Sequence, residues 1–353
     1  MKDNIMITVG IDISDHYSKI CIVDEVDGQI EVVEETRIRT TPDAVTQYFS
    51  WRGPMLVAME VGAHSAWMSR IISELGHEVV VANARKLRFI FANDQKNDDI
   101  DAEMLARVAR MDPALLSPLE HRDEKDAQVM ALVRSRDALV RSRTALVNHV
   151  RGTVKAHGQR LRGCATARFH KLSSDVPEEL ASALRPVMDA IAVQSEMIRE
   201  MEREIEVVAQ ESYPETEILR QIAGIGALIA LVFVLVIQDP WRFRRNRSVG
   251  AYVGLVPKRD QSGERDPQLS IAKSGDPYLR RLLVGAAHYI LGPFGPDSDL
   301  RRYGLRIAEK GGKRAKKRAA VAVARKLSVL MLSLLKSKAE YQPLRREEGG
   351  KAA

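Results

Sequence analysis

Apolar residues in the first third of the chain fall into short runs with two different rhythms. Residues 6–12 (MITVGID) and 55–60 (MLVAME) are almost continuously apolar, as in strands covered on both faces. Residues 19–24 and 77–83 read as further strands, and 30–36 (QIEVVEE) alternates apolar and polar side chains like an outer antiparallel strand. Helical spacing interrupts them twice. A short helix is predicted over 42–50, with Pro42 near its start, and a longer one from Ala63 to Leu75, stopped by Gly76. A third helical pattern opens in KNDDIDAEMLA, residues 96–106.

Three strands, then helix, strand, helix, strand and a final helix is the order of a ribonuclease-H-like α/β domain. In that arrangement the first strand is central. Asp12, in VGIDIS, and Glu60, in LVAMEVG, then stand near the ends of adjacent strands. Asp98 and Asp101 share one helix face at i and i+3. Two carboxylates on one face make a poor core and a good half of a divalent-metal site, and Asp12 and Glu60 can supply the other half. Four crowded acids repel by about 1–4 kcal/mol per close pair at intermediate dielectric, a cost that a cation removes. Hard carboxylate oxygens suit Mg²⁺ or Mn²⁺. The plainer alternative makes Asp98 and Asp101 helix N-terminal acids favoured by the dipole.

Beyond Pro113 and Pro118 the rhythm is helical. A long helix is predicted from about Glu120 to His157, and a second from Glu178 or Leu184 to Gln210, joined by the basic loop GQRLRGCATARFHKL. They form either an antiparallel pair or a coiled-coil arm. Near Tyr213 a further segment begins. Gly224-Ile225-Gly226 lies near the start of the apolar run Ile222–Ile237, read as leading into a buried helix because its 16 residues fall short of a membrane span. The glycine turn is either a phosphate-binding helix start or a plain tight turn. Lys310–Arg318 (KGGKRAKKR) is predicted to precede a helix over 319–335. The expected division is 1–115, 116–212, 213–340 and a polar tail over 341–353.

Charge sharpens this division. Net charge is +7 over 353 residues, but residues 1–120 carry −8 and residues 236–353 carry +15. Basic faces beside acidic ones point to a polyanionic partner. Two distant cysteines, Cys21 and Cys164, exclude a cysteine zinc site and fit a reducing, cytoplasmic setting. Neither a secretory leader nor a membrane span is expected.

Several patches, in order, carry a likeness. They are GIDIS with Asp12, AMEVG with Glu60, K-x-D-x-x-D-A over Lys96–Ala102, and a C-terminal run of IAGIG, RF, AYVGLVP, QSG, K-x-G and LRRLL. Over most of residues 5–335 the chain resembles the DEDD-type insertion-sequence transposases that act as bridge-RNA-guided serine recombinases, a family that includes Piv-type DNA invertases. The resemblance implies a RuvC-like domain, a coiled-coil arm and a mostly helical C-terminal transposase domain with a nucleophilic serine. Carried over, the metal-binding acids are Asp12, Glu60, Asp98 and Asp101, and the serine is Ser262. The family's Ile-Ser-Lys is here Ile271-Ala272-Lys273, so Ser262 is preferred over its neighbours Ser270 and Ser274.

The resemblance further implies donor and target DNA, a structured guide RNA, and a dimer assembling into a tetramer. A serine hydroxyl needs activation, and the residues around Ser262 are cationic rather than basic catalysts. Arg259, Arg265, Lys273, Arg280 and Arg281 are expected to hold phosphates. Competing readings are a metal-dependent nuclease or Holliday-junction resolvase that uses water, and a non-catalytic nucleic-acid-binding protein. A sugar-kinase or actin-like ATPase is disfavoured, because no second phosphate motif of the Asp-x-Gly type is found.

Overall fold

The computed structural model describes residues 7–83, 98–261, 267 and 269–344; for 98 and 99 it describes the backbone only. The chain divides into two compact units, 1–123 and 124–353.

The first unit is built on one five-stranded sheet: β1 (Thr8–Ile13), β2 (Tyr17–Val26), β3 (Gln29–Arg39), β4 (Leu56–Glu60) and β5 (Glu78–Ala82). Its order is β3-β2-β1-β4-β5, so β1 is central. The β1–β2 and β2–β3 pairs are antiparallel, and β1–β4 and β4–β5 are parallel. Helices α1 (Pro42–Phe49) and α2 (Ser65–Glu74) cover one face. Thr41 caps α1 by accepting from the Ala44 amide, with Pro42 in the first turn. Val45, Phe49, Met68 and Ile72 pack there against Val9, Ile11, Val57 and Met59. The opposite face takes α3 (Asp98–Met111), through Leu105 and Ala109 against Leu56, Ala58, Val80 and Ala82.

Gly10 explains how close α3 comes. A Cβ there would lie 1.9 Å from the Ala102 carbonyl oxygen and 2.7 Å from the Ala106 amide nitrogen. Only a residue without a side chain lets the helix backbone rest on β1. Ala102 and Ala106, themselves small, close the layer with Cys21 and Val23.

In the second unit α4 (Glu124–Ala156) and α5 (Glu178–Ser212) pack together. Arg136 pairs with Glu202, Arg143 with Ser195, and Gln159 with Glu179. Residue numbers rise on one helix as they fall on the other, so the two are antiparallel. The loop between them is more ordered than its composition predicts. Thr166–Asp175 is a 3-10 segment, because Phe169 and Leu172 bury against Val150, Leu184 and Met188 at the hairpin's end.

At the other end the hairpin runs into the remaining helices: α6 (Thr216–Arg220), α7 (Ala227–Ile237), α8 (Val249–Tyr252), α9 (Pro277–Leu291), α10 (Asp299–Ala308) and α11 (Gly312–Ser337). Met130, Val133, Ile205 and Ala209 share one core with α7, α9 and α11. Helix α7 is buried on nearly every side, as its uniform apolarity requires. Among the described residues no helix is long and apolar enough to cross a membrane. One expectation is corrected: the basic run before α11 is mostly helix. Lys313, Arg314, Lys316, Lys317 and Arg318 belong to its first turns, because Ala315 and Ala319 supply the buried positions that extend the apolar stripe.

Candidate functional site

Two places in the chain gather the residues singled out above, one in each unit. In the first, side-chain alternation sets the geometry. Gly10 faces α3, so Asp12, two residues on, faces the same way; Ala58 and Glu60 repeat the pattern on β4. Ile11 and Met59 are partners in the parallel register, and Asp12 and Glu60 are each the next residue along. Both are half-buried at the carboxyl ends of adjacent strands, where open α/β sheets place their ligands.

Asp98 opens α3, and Asp101 follows at i+3. The helix crosses Gly10 at Ala102–Ala106, so both acids lie within about one helical turn of that crossing. Asp101 is half-buried, and the side chain of Asp98 lies outside the described residues. Among the described residues no three His, Cys, Asp or Glu side chains gather as a metal site would. Asp12, Glu60 and Asp101 each have an interaction partner.

Lys19 was missed from sequence. It is the cross-strand partner of Asp12 in the β1–β2 hairpin, hence on the same face. Only the hairpin register could have revealed it.

The second place is the stem of the Ser262 segment. Ser262 and Arg265 lie outside the described residues; the stem does not. The Lys258 amide donates to the Ser270 carbonyl at 2.8 Å, the Ala272 amide donates to the Val256 carbonyl at 2.8 Å, and Pro257 bridges Ile271. Two glycines close its base. Gly254 (φ +71°) and Gly275 (φ +72°) bring the two backbones so close that a Cβ would sit 2.1 Å from the Ser274 oxygen or 2.0 Å from the Tyr252 oxygen. The glycines of AYVGLVP and K-x-G therefore serve one crossing.

Arg280, from α9, clamps it, its Nη1 donating to the Val253 carbonyl at 3.1 Å and the Ser274 carbonyl at 2.8 Å. Arg281 donates to Asp137 of α4 at 2.5 Å and lies over the Tyr278 ring. Lys273 is exposed, in left-handed backbone (φ 57°), its amide bonded to the Gly254 carbonyl. Arg259 is exposed where the stem opens. Ser274 donates to the Ala251 carbonyl, and Ser270 stands exposed in the stem. Asp276 caps α9 by accepting from the Tyr278 and Leu279 amides, and also receives Arg134 at 2.5 Å. The Gly224 turn (φ +89°) is filled by the Tyr289 ring.

Residues 9–158 match the DEDD-type transposase family, and residues 216–299 match the family described as Transposase IS116/IS110/IS902. The chain is 33% identical over 251 residues to the transposase for insertion sequence element IS1328 of Yersinia enterocolitica, covering 69% of this chain and 73% of that one. It is 28% identical to a probable family 20 transposase of Pseudomonas aeruginosa, covering 95% and 98%. It is 26% identical to the transposase for insertion sequence element IS1111A of Coxiella burnetii, covering 95% and 91%. The chain belongs to this family of DEDD-type insertion-sequence transposases. Its function is that of a transposase, and its substrate is DNA.

Proposed function

We propose that the protein cuts and rejoins DNA through a phosphoserine intermediate on Ser262, with Asp12, Glu60, Asp98 and Asp101 as a Mg²⁺-binding tetrad in a RuvC-like domain. One observation carries the reading. Asp12 and Glu60 end adjacent parallel strands on the face that receives the amino-terminal turn of α3, with Asp98 and Asp101. The donor set is all carboxylate, which fits a hard divalent cation. When bound, the cation neutralises charge on the phosphate and supports an activated nucleophile.

In the proposed step the Ser262 hydroxyl attacks phosphorus and gives up its proton. A serine–phosphate ester forms, the phosphorus–oxygen bond of the DNA backbone breaks, and the leaving oxygen takes a proton to become a free hydroxyl. A hydroxyl from the second DNA then attacks the ester, releasing Ser262 and joining the new strand. Arg259, Arg265 and Lys273 hold the flanking phosphates. Arg281, half exposed beyond its Asp137 bond, adds a further cation, and Arg280 acts chiefly by holding the stem. A structured bridge RNA selects the sites, and the long hairpin serves as a coiled-coil arm in a dimer that assembles into a tetramer on DNA.

A nicked DNA substrate tests this reading by trapping covalent protein–DNA adduct. Wild type gives the adduct, and Ser262→Ala abolishes it. Asp101→Asn abolishes it too and weakens Mn²⁺ binding measured by calorimetry. Cleavage by Ser262→Ala without any adduct would establish the alternative, a metal-dependent nuclease using water. Copurification of one discrete RNA encoded beside the gene would support guidance, and light scattering with and without DNA reads the assembly.

A further inference from the structure

A cleft of about 1650 Å³ opens between α10 and α11. Its floor is apolar, with Tyr303 and Ile307 from α10 and Val321, Val329 and Leu330 from α11, all half-buried. Its rim is cationic: Arg247, Lys310, Arg314, Lys317, Arg318 and Arg325 line it, against one acid, Asp299, among the described residues. On α11 the positions 314, 317, 318, 321 and 325 fall at i, i+3, i+4, i+7 and i+11, so they form a single stripe. From Arg314 to Arg325 that stripe is about 17 Å long. The Lys326 ammonium lies 3.8 Å from the Tyr303 ring centroid, so a cation already rests on the ring face. The cleft is also lined by Pro257, Leu269, Ser270 and Ile271, the described flanks of the Ser262 segment.

We infer that this cleft, walled on one side by Pro257 and Leu269–Ile271, holds an unpaired stretch of DNA. The cationic rim calls for a polyanion. The apolar floor calls for a partner that also exposes flat apolar surface, and stacked base pairs hide theirs. An unpaired strand offers phosphates to Arg314, Lys317 and Arg318 and base faces to Tyr303 and Val321. DNA rather than RNA is chosen because the wall at Pro257 and Leu269–Ile271 flanks the proposed nucleophile in sequence, so the choice of strand rests on the proposed serine chemistry.

Anisotropy of labelled oligonucleotides on the full chain tests this, in a Ser262→Ala background so that cleavage does not intervene. Single-stranded DNA should bind more tightly than duplex or RNA of the same sequence. Replacing Arg314, Lys317 and Arg318 together by Gln should weaken it about tenfold or more and flatten the salt slope by about 2, at roughly 0.7 per phosphate. Tyr303→Ser should remove most of the preference for single-stranded over duplex DNA. Equal loss for both forms would overturn the inference, as would tighter RNA binding or no loss in the triple variant. A changed mass by light scattering with unaltered single-strand affinity would assign the cleft to a second copy of the chain and overturn it as well. Binding that behaves as expected, beside a wild-type chain that forms no serine adduct on nicked DNA, would leave the cleft standing and the serine reading refuted.

Discussion

Replacing Gly10 by alanine adds one carbon where α3 rests on β1. That carbon would sit 1.9 Å from the Ala102 carbonyl oxygen, against an ordinary contact of at least 3.4 Å. Helix and strand must separate by about 1.5 Å, and both clashing groups are backbone, so no rotamer change relieves the contact. Overpacking of this kind costs typically 1–3 kcal/mol and occasionally more. Here the shift also loosens Leu105 and Ala109 from the sheet, which argues for about 3 kcal/mol. With a urea slope of about 1–3 kcal/mol/M, the midpoint should fall by about 1–3 M. In a Trp241→Phe background, Trp51 and Trp67 fluorescence reports on the first unit alone. Gly53→Ala is the control, because nothing lies within 4 Å of a Cβ there. The shift also moves Asp98 and Asp101 away from Asp12, so strand exchange should be lost even where the variant stays folded. A midpoint equal to the control's, with undiminished exchange, would refute the close contact and the site geometry argued from it.

Two further expectations follow from particular contacts. Arg280→Ala removes the donor that ties the Val253 and Ser274 carbonyls together. It should cost about 1.5–3 kcal/mol and speed tryptic cleavage at Arg259 and Arg265, while the salt slope for DNA binding stays nearly constant. A drop of about one in that slope with unchanged cleavage would make Arg280 a phosphate contact instead. His121 is held below its ordinary pKa of 6.5, first by burial and then by Arg70 and Arg122. The unfolded chain therefore takes up the proton first as pH falls below 6.5, and stability is lost between there and the lower folded value. The urea midpoint of wild type should drop over that window more steeply than that of His121→Gln, and parallel curves would dismiss the effect.

Much of this architecture was legible in the order of residues, because it depends on neighbours. Alternation and helical spacing marked all five strands of the first unit and the helices beside them. The i and i+3 placement of Asp98 and Asp101 is a property of one helix. The motifs around Asp12, Glu60 and the Ser262 segment identified the family that the relatives then established. Burial of α7 followed from its uniform apolarity alone.

Contacts between distant segments were not legible, because nothing local selects a partner among many of similar chemistry. Gly10 looked like any glycine until α3 lay across it, and Lys19 like any surface lysine until the hairpin register set it beside Asp12. Arg280 read as a phosphate cation, yet folding turns its guanidinium toward two carbonyls on a neighbouring crossing. The basic run Lys310–Arg318 was expected to precede the last helix; two buried alanines pulled most of it into α11 and made it one wall of a cleft. Spacing along a chain determines which side chains share a face. Which faces meet is decided by packing, where a single missing methyl group can set the distance.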